Sequence, residues 1–505
     1  MPRNVRYGAL SCLCVLVLGS CKALAASQDS YVAAVFESSP NQTIAASPAE
    51  GLQQMVTTLA SYKPFFAEAA NSGAEILVLN EMGISGFSFT VASQVTAYLI
   101  ELPSLGAVPC TAAESFSLPT PTSQVLPALS CAAKDLNVTL VVDLAERRPC
   151  ARVAAPCPAR GYFQFNTQIA LLGGSGALTS VYVKNHLFLP GNEGNIFDSA
   201  PWQPSYATFK SHTGRLFGQA VCFDLFYPNP ILALAGMGVR DIVFSSYWEN
   251  LKSYPLVTAS SLQRAVSEAA NVNLLAVSVG YSWQNSGSGL YSQGRILNAT
   301  FNQENAPRST LLTSVVPSLV PHRPLHVGLP TAQEAISDTP LAVFGGGRAP
   351  PAKPTWSFTL EISQSVTHEG IQCIFDMTVL GKERDTTLAL IAQDGQYMVG
   401  AMRTQLCAMQ ECPMGECSLS DIPVPLSTGV TLQRGSMEMR GFTAVRGLVA
   451  AVGPHGSPVS VPWLPWQQSS SFGILSRGVP LQVTGVNLLG TFPYFAVHPH
   501  LPQAV

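Results

Sequence analysis

Three polar residues stand where apolar runs stop: Glu81 after ILVLN, Lys184 after SVYV and Cys222 after FGQAV. A thiolate is a nucleophile, a carboxylate moves protons, and an ammonium steadies a developing negative charge. Brought to one place, these three types suit nucleophilic catalysis. Taken singly, each has an ordinary alternative. A buried cysteine packs, a lysine at a strand end meets solvent, and a glutamate caps a helix.

Sulfur arithmetic separates Cys222 from its fellows. Arg3 and Arg6 precede the apolar stretch Ala9 to Gly19, and Ala23-Leu24-Ala25 then offers a cleavage site. Residues 1–26 therefore read as a secretory signal, with an apolar core shorter than the roughly 20 residues of a spanning helix. Beyond it remain Cys110, Cys131, Cys150, Cys157, Cys222, Cys373, Cys407, Cys412 and Cys417. The odd count leaves one thiol over in an oxidising compartment. Cys150 has Cys157 nearby, and Cys373 has Cys407, Cys412 and Cys417 as candidates. Cys222 has no local partner and is the expected free thiol. The sequons at Asn41, Asn137 and Asn298 agree with a secreted glycoprotein.

The elements that must position these residues are legible as an alternation. YVAAVF (31–36), EILVLNE (75–81), TLVVDLAE, TQIALLG, RLFGQAVCF, DIVFSS and LLAVSVG predict strands. Ser47-Pro48-Ala49-Glu50 is a capping box with proline at the first helical position. Leu52, Met55, Val56, Leu59 and Phe66 continue it at helical spacing to Gly73. Leu262, Ala265, Val266 and Ala269 mark another amphipathic helix. Continuous apolar strands alternating with helices predict a layered α/β domain over 27–310. A Pro/Gly-rich connecting segment follows over 311–355. Alternation at Trp356, Phe358, Leu360 and Ile362 opens a mainly-β, disulfide-braced C-terminal domain over 356–505.

Composition excludes several partners. The 505 residues carry a net charge of -3 without a basic block, which argues against nucleic acid. No histidine spacing suggests a metal, His498 and His500 read as a tail, and Cys407, Cys412 and Cys417 read as disulfide material. No cofactor is implied. VPLQVTGVNLLGTFPYFAV near the C-terminus has the length of a GPI-anchor tail, but it alternates like a strand and is followed by HPHLPQAV. The reading is a soluble secreted protein without stable membrane insertion.

NEMGISGF, VYVKNHLF and GQAVCFDLFYP resemble, in order and context, the Glu–Lys–Cys segments of the nitrilase (carbon–nitrogen hydrolase) superfamily. QFNT (164–167), CFDLFYPNP, SYWEN (246–250) and SGSGLY (286–291) narrow the resemblance to its biotinidase and pantetheinase (vanin) branch. The resemblance implies a four-layer αββα sandwich with a C-terminal domain. It implies Cys222 as nucleophile, Glu81 as proton acceptor, and Lys184 with the backbone N–H of Phe223 as oxyanion donors. Glu193 would orient Lys184, Asp224 would hold the nucleophile's turn, and Trp248 and Asn250 would line the acyl pocket. The substrate would be a small-molecule amide, pantetheine before biotinyl amides. A nitrilase-like binding protein without turnover is the alternative from another class. Asn80 and Asn229 depart from the branch pattern without removing a reacting atom.

Overall fold

The structure, a computed structural model, describes residues 30–110, 122–202, 204–227, 229–250 and 258–319, together with strands named below between 342 and 491. The signal sequence expected at 1–26 lies outside the described residues. In chain order the first part comprises β1 (Ser30–Glu37), α1 (Pro48–Asn71), β2 (Ile76–Leu79), α2 (Ala92–Val95), α3 (Thr122–Leu136), β3 (Thr139–Pro149), β4 (Tyr162–Leu171) and β5 (Leu178–Val183). There follow β6 (Thr208–Lys210), β7 (Leu216–Val221), α4 (Ile231–Gly236), β8 (Asp241–Ser245), α5 (Ala259–Ala270), β9 (Asn273–Val277), β10 (Ser288–Ser292), β11 (Arg295–Thr300) and β12 (Thr310–Pro317).

These strands form two six-stranded sheets, ordered β12-β1-β2-β3-β4-β5 and β11-β10-β9-β8-β7-β6. The central strands β1, β2, β8 and β9 are largely apolar because each sheet is covered on both faces. Ala33, Val35, Ile76 and Val78 meet Phe217, Val243, Leu275 and Val277 between the sheets. The alternate residues Ala34, Phe36, Leu77 and Leu79 pack under Met55, Leu59 and Tyr62 of α1 and Leu126 of α3. On the second sheet Ala220, Ile242, Phe244 and Leu274 pack under Leu234 of α4 and Leu262 of α5. The result is the four-layer αββα sandwich.

Local chemistry sets the ends of α1. Ser47 accepts the Glu50 amide at 3.3 Å, and Glu50 Oε2 accepts the Ala46 amide at 2.8 Å. One of the helix's unpaired N-terminal donors and the amide just before its cap are thereby satisfied. Two elements differ from expectation. The segment beginning at 311 is β12, an edge strand paired antiparallel with β1, so the first sheet extends past residue 310. α3 carries Pro127 inside it, and proline masks a helix from pattern reading.

The C-terminal part is mainly β. One sheet runs Ala342–Phe344, Thr387–Tyr397, Met402–Cys412, Gly485–Thr491, Arg446–Val452. The other runs Phe358–His368, Ile371–Gly381, Val430–Arg440, Ser471–Leu475, Leu464–Gln468, with Leu481–Val483 also on Val430–Arg440. The strand read within VPLQVTGVNLLGTFPYFAV is thus an interior strand of the first of these sheets, between Met402–Cys412 and Arg446–Val452. No helix among the described residues is long and apolar enough to cross a membrane. Leu406 and Ala408 join the core around α5, whose polar residues Ser260, Gln263, Arg264 and Ser267 are buried too.

Disulfides join Cys110 to Cys131, Cys150 to Cys157 and Cys373 to Cys407. Among the described residues Cys222 is the free cysteine. The side chains of Cys412 and Cys417 lie outside the described residues. Asn41 and Asn137 are exposed. Asn298 is half-buried and donates to the Thr313 carbonyl at 2.9 Å.

Candidate active site

β1, β2 and β3 run parallel, as do β7, β8 and β9, so the ends of β2 and β7 collect the loops that follow them. Glu81 stands just past β2, Lys184 just past β5 and Cys222 just past β7. A polar seam between the sheets fixes their spacing below the site. Gln168 donates to Ser245 Oγ at 2.8 Å, Gln219 donates to Gln168 Oε1 at 3.1 Å, and Ser245 Oγ donates to the Leu79 carbonyl at 2.6 Å.

The structure brings Glu81, Lys184 and Glu193 into one buried cluster. Lys184 Nζ donates to Glu81 Oε1 at 2.8 Å and to Glu193 Oε2 at 2.7 Å. Asn166 Nδ2 donates to both carboxylates, at 2.7 Å each. Glu81 Oε2 accepts the Tyr247 amide at 2.7 Å, and Glu193 Oε2 also accepts the Phe188 amide at 2.6 Å. Glu81 is 0% and Lys184 1% exposed, so these charges act on one another with little screening by water.

Cys222 adjoins this cluster. Its Sγ lies 3.7 Å from the Tyr247 carbonyl, the residue whose amide holds Glu81. Its backbone takes φ +45°, a left-handed conformation that L-residues rarely adopt. That turn lifts the side chain off the end of β7 and opens a 3₁₀ helix over Cys222–Phe226. The Phe223 N–H falls in its first turn, where a helical donor has no acceptor within the helix. Asp224 fixes the turn: Oδ2 accepts the Val221 amide at 2.9 Å and Tyr182 Oη at 2.7 Å.

Electrostatics define the resting state. Burial pushes the Cys222 thiol well above its ordinary range, and the Glu81 carboxylate adds to this while Lys184 pulls the other way. The thiol therefore rests protonated and needs a proton acceptor to attack. Burial acts against charge on Lys184, but Glu193 and Glu81 outweigh it and hold the ammonium well above its ordinary value. Glu193 is raised by burial, with Lys184 opposing. Asp143, buried nearby, is raised well above its ordinary value by burial and then by Glu81, and its Oδ1 accepts the Met82 amide at 3.0 Å.

The two residues expected along the acyl pocket are buried and bonded into the surrounding loops. Trp248 is buried and stacks on Phe226 at 5.4 Å between centroids. Asn250 donates to the Trp283 and Ser286 carbonyls and accepts the Ala259 amide at 2.9 Å, bracing three backbone segments. Asn80, which departs from the branch pattern, accepts Ser38 Oγ at 2.6 Å and donates to the Glu81 carbonyl at 3.2 Å. Asn229 accepts Tyr206 Oη at 3.0 Å.

Asn166, Tyr247 and Asp143 were not singled out from sequence. Asn166 falls within QFNT, and the alternating amides Gln164, Asn166 and Gln168 along β4 are the signal that marks it. Tyr247 acts through its backbone, which no side-chain pattern reveals. No metal-binding group of His, Cys, Asp or Glu occurs among the described residues. A cavity of about 470 Å³ lined by Tyr31, Glu75, Asn137 and His212 lies at the other end of β1 and β2.

Known proteins resemble this chain. A biotinidase of Takifugu rubripes is 35% identical over 58% of this chain and 57% of its own length. A pantetheinase of Canis lupus familiaris is 29% identical over 81% of this chain and 78% of its own. The chain thus spans little more than half of the first relative and about four-fifths of the second. A crystal structure of an amidase from Nesterenkonia sp. superposes with a TM-score of 0.39 at 18% identity, covering 57% of this chain and 92% of that one. The carbon-nitrogen hydrolase family model matches residues 33–299, over half the chain and every residue of the Glu81–Lys184–Cys222 cluster, and the protein belongs to that family.

Proposed function

We propose that the protein is a secreted, glycosylated amidohydrolase that cleaves a small carboxamide through a Cys222 thioester, with pantetheine as substrate and pantothenate and cysteamine as products. One observation carries the reading. An unpaired thiol adjoins a carboxylate that Lys184, Asn166 and the Tyr247 amide hold in place. Cys222 Sγ attacks the amide carbonyl as Glu81 takes its proton. Lys184 and the Phe223 N–H receive the negative charge that grows on the carbonyl oxygen. As the tetrahedral adduct collapses, the C–N bond breaks and Glu81 returns the proton to the leaving amine. Glu81 then takes a proton from water, hydroxide attacks the thioester, and the acid leaves as the thiol is re-formed.

The named relatives support an amide substrate, one being a pantetheinase and another a biotinidase. The disulfides suit an oxidising compartment. The test is turnover of pantetheine against a biotinyl amide by wild type and Cys222→Ala, with secretion measured for both. Pantetheine cleavage that disappears in the variant is expected. Preference for the biotinyl amide would overturn the substrate, and activity retained without Cys222 would overturn the mechanism.

A further inference from the structure

β1 ends in a carboxylate that the mechanism above does not use. Glu37 is 0% exposed, and its oxygens accept three hydrogen bonds from a single loop. Ser286 Oγ donates at 2.7 Å, Ser288 Oγ at 2.5 Å and the Gly287 amide at 3.2 Å. A serine hydroxyl has one hydrogen to give. Ser286 Oγ already accepts the Asn302 amide at 2.7 Å, and Ser288 Oγ the Ser278 amide at 2.9 Å. Each serine thus links a backbone amide to Glu37, and the loop is built around an acceptor at that point.

The same loop brackets residues 246–250. Trp248 donates its amide to Ser278 Oγ at 3.1 Å, and Asn285 Nδ2 donates to the Trp248 carbonyl at 3.1 Å. Asn250 donates its amide to the Gln284 carbonyl at 2.6 Å and its side chain to the Ser286 carbonyl at 2.8 Å. Between these anchors sits Tyr247, whose amide holds Glu81 Oε2 and whose carbonyl lies against Cys222 Sγ. The chain of contacts runs unbroken from Glu37 to both reacting groups.

We infer that Glu37 is a positioning residue for catalysis: its carboxylate fixes the 278–288 loop, the loop fixes 246–250, and Tyr247 thereby keeps Glu81 and Cys222 in register. The inference rests on the reading of Cys222 as nucleophile and Glu81 as base. A carboxylate is a costly filler for a buried site, since an apolar side chain would occupy it without the desolvation penalty. What an apolar residue lacks is the capacity to accept three donors at once. Burial pushes the Glu37 carboxyl up to about 7, with the three donors and the charge of Arg308 opposing it. Among the described residues Tyr291 also feels its charge. Protonated Glu37 would turn a hydrogen toward these donors, so it accepts from all three at once only while it is ionised.

The experiment compares full-length wild type with Glu37→Gln and Ser288→Ala. It reads pantetheine turnover and the rate at which iodoacetamide alkylates Cys222, located by peptide mapping. Glu37→Gln keeps the shape but aims amide hydrogens at donors. It should lower kcat and the alkylation rate by about ten- to a hundred-fold, because small misplacements of reacting groups are costly, while KM changes little. Ser288→Ala removes one donor without adding a buried polar group and should show the same pattern more weakly; it decides the matter if Glu37→Gln fails to fold. Both rates staying within about two-fold of wild type in the folded variants would overturn the role of Glu37. Turnover surviving in Cys222→Ala would instead overturn the catalytic reading on which it rests.

Discussion

Asp224 holds His186 through a single oxygen: Oδ1 accepts the His186 amide at 3.0 Å and lies 2.8 Å from its Nδ1. The other oxygen holds Val221 and Tyr182. One carboxylate therefore joins the turn that carries Cys222 to the segment that carries Lys184. The His186 ring also stacks on Tyr227, at 3.8 Å between centroids and 2° from parallel.

Asp224→Asn should break this joint, because each carboxylate oxygen accepts a backbone N–H, from His186 and from Val221, and an amide offers only one acceptor oxygen. Unfolding by urea should show a loss of about 1–3 kcal/mol, the range for an unsatisfied buried donor. Cys222 alkylation and kcat should both fall. A stability loss with unchanged alkylation would confine Asp224 to folding.

Glu193 keeps Lys184 charged. In Glu193→Gln the ammonium retains Glu81 but loses a full negative charge, so its pKa falls from its raised position. The alkaline limb of the kcat/KM profile, where Lys184 loses its proton, should move to lower pH. At neutral pH kcat should drop by about a hundred-fold, in line with loss of oxyanion stabilisation. A pH–rate profile of the variant checks both. An unmoved alkaline limb would show that another group sets it.

The Glu37 carboxyl gives a pH-dependent stability whose sign can be worked out. Its ordinary value of 4.5 is raised to about 7 in the folded protein. Between those values the folded chain holds a proton that the unfolded chain has released. Stability from this group is fully present below about 4.5 and is lost as pH rises through about 7, at about 1.4 kcal/mol per unit. Urea midpoints at pH 5 and pH 8 should differ more for wild type than for Glu37→Gln. Stability and site order pull in opposite directions here, since only the ionised form accepts from all three donors at once.

Much of this was legible in the sequence because the signals are local. Glu81, Lys184 and Cys222 follow apolar runs that end in loops, and Ser47 to Glu50 spells out a helix start. The odd cysteine count pointed to Cys222 before any contact was known. What was hidden acts at long range or through the backbone. Glu37 meets Ser286 and Ser288 across about 250 positions of chain. Tyr247 works through its amide and carbonyl, so its side chain carried no hint. Asn166 serves two carboxylates from the middle of a strand, and the alternation of Gln164, Asn166 and Gln168 marks a polar face without telling which amide meets the carboxylates. The α5 helix read as amphipathic, yet its polar residues are buried too: Gln263 donates to the Gly287 carbonyl and Ser267 to the Val272 carbonyl, partners that the helix's own pattern does not announce.

The backbone at Cys222 permits a final test. Its φ of +45° costs an L-residue with a Cβ roughly 1 kcal/mol or more, and glycine escapes that cost. The same turn sets Sγ against the Tyr247 carbonyl, so on the proposed mechanism strain and function share one residue. Cys222→Ala and Cys222→Gly should both be inactive, and they differ only in the Cβ. Glycine also loses more freedom on folding, which offsets part of the gain. The net expectation is that Cys222→Gly unfolds at higher urea than Cys222→Ala, by about 0.5–1 kcal/mol. Equal midpoints, or a more stable alanine variant, would show that the left-handed turn at position 222 is not under strain.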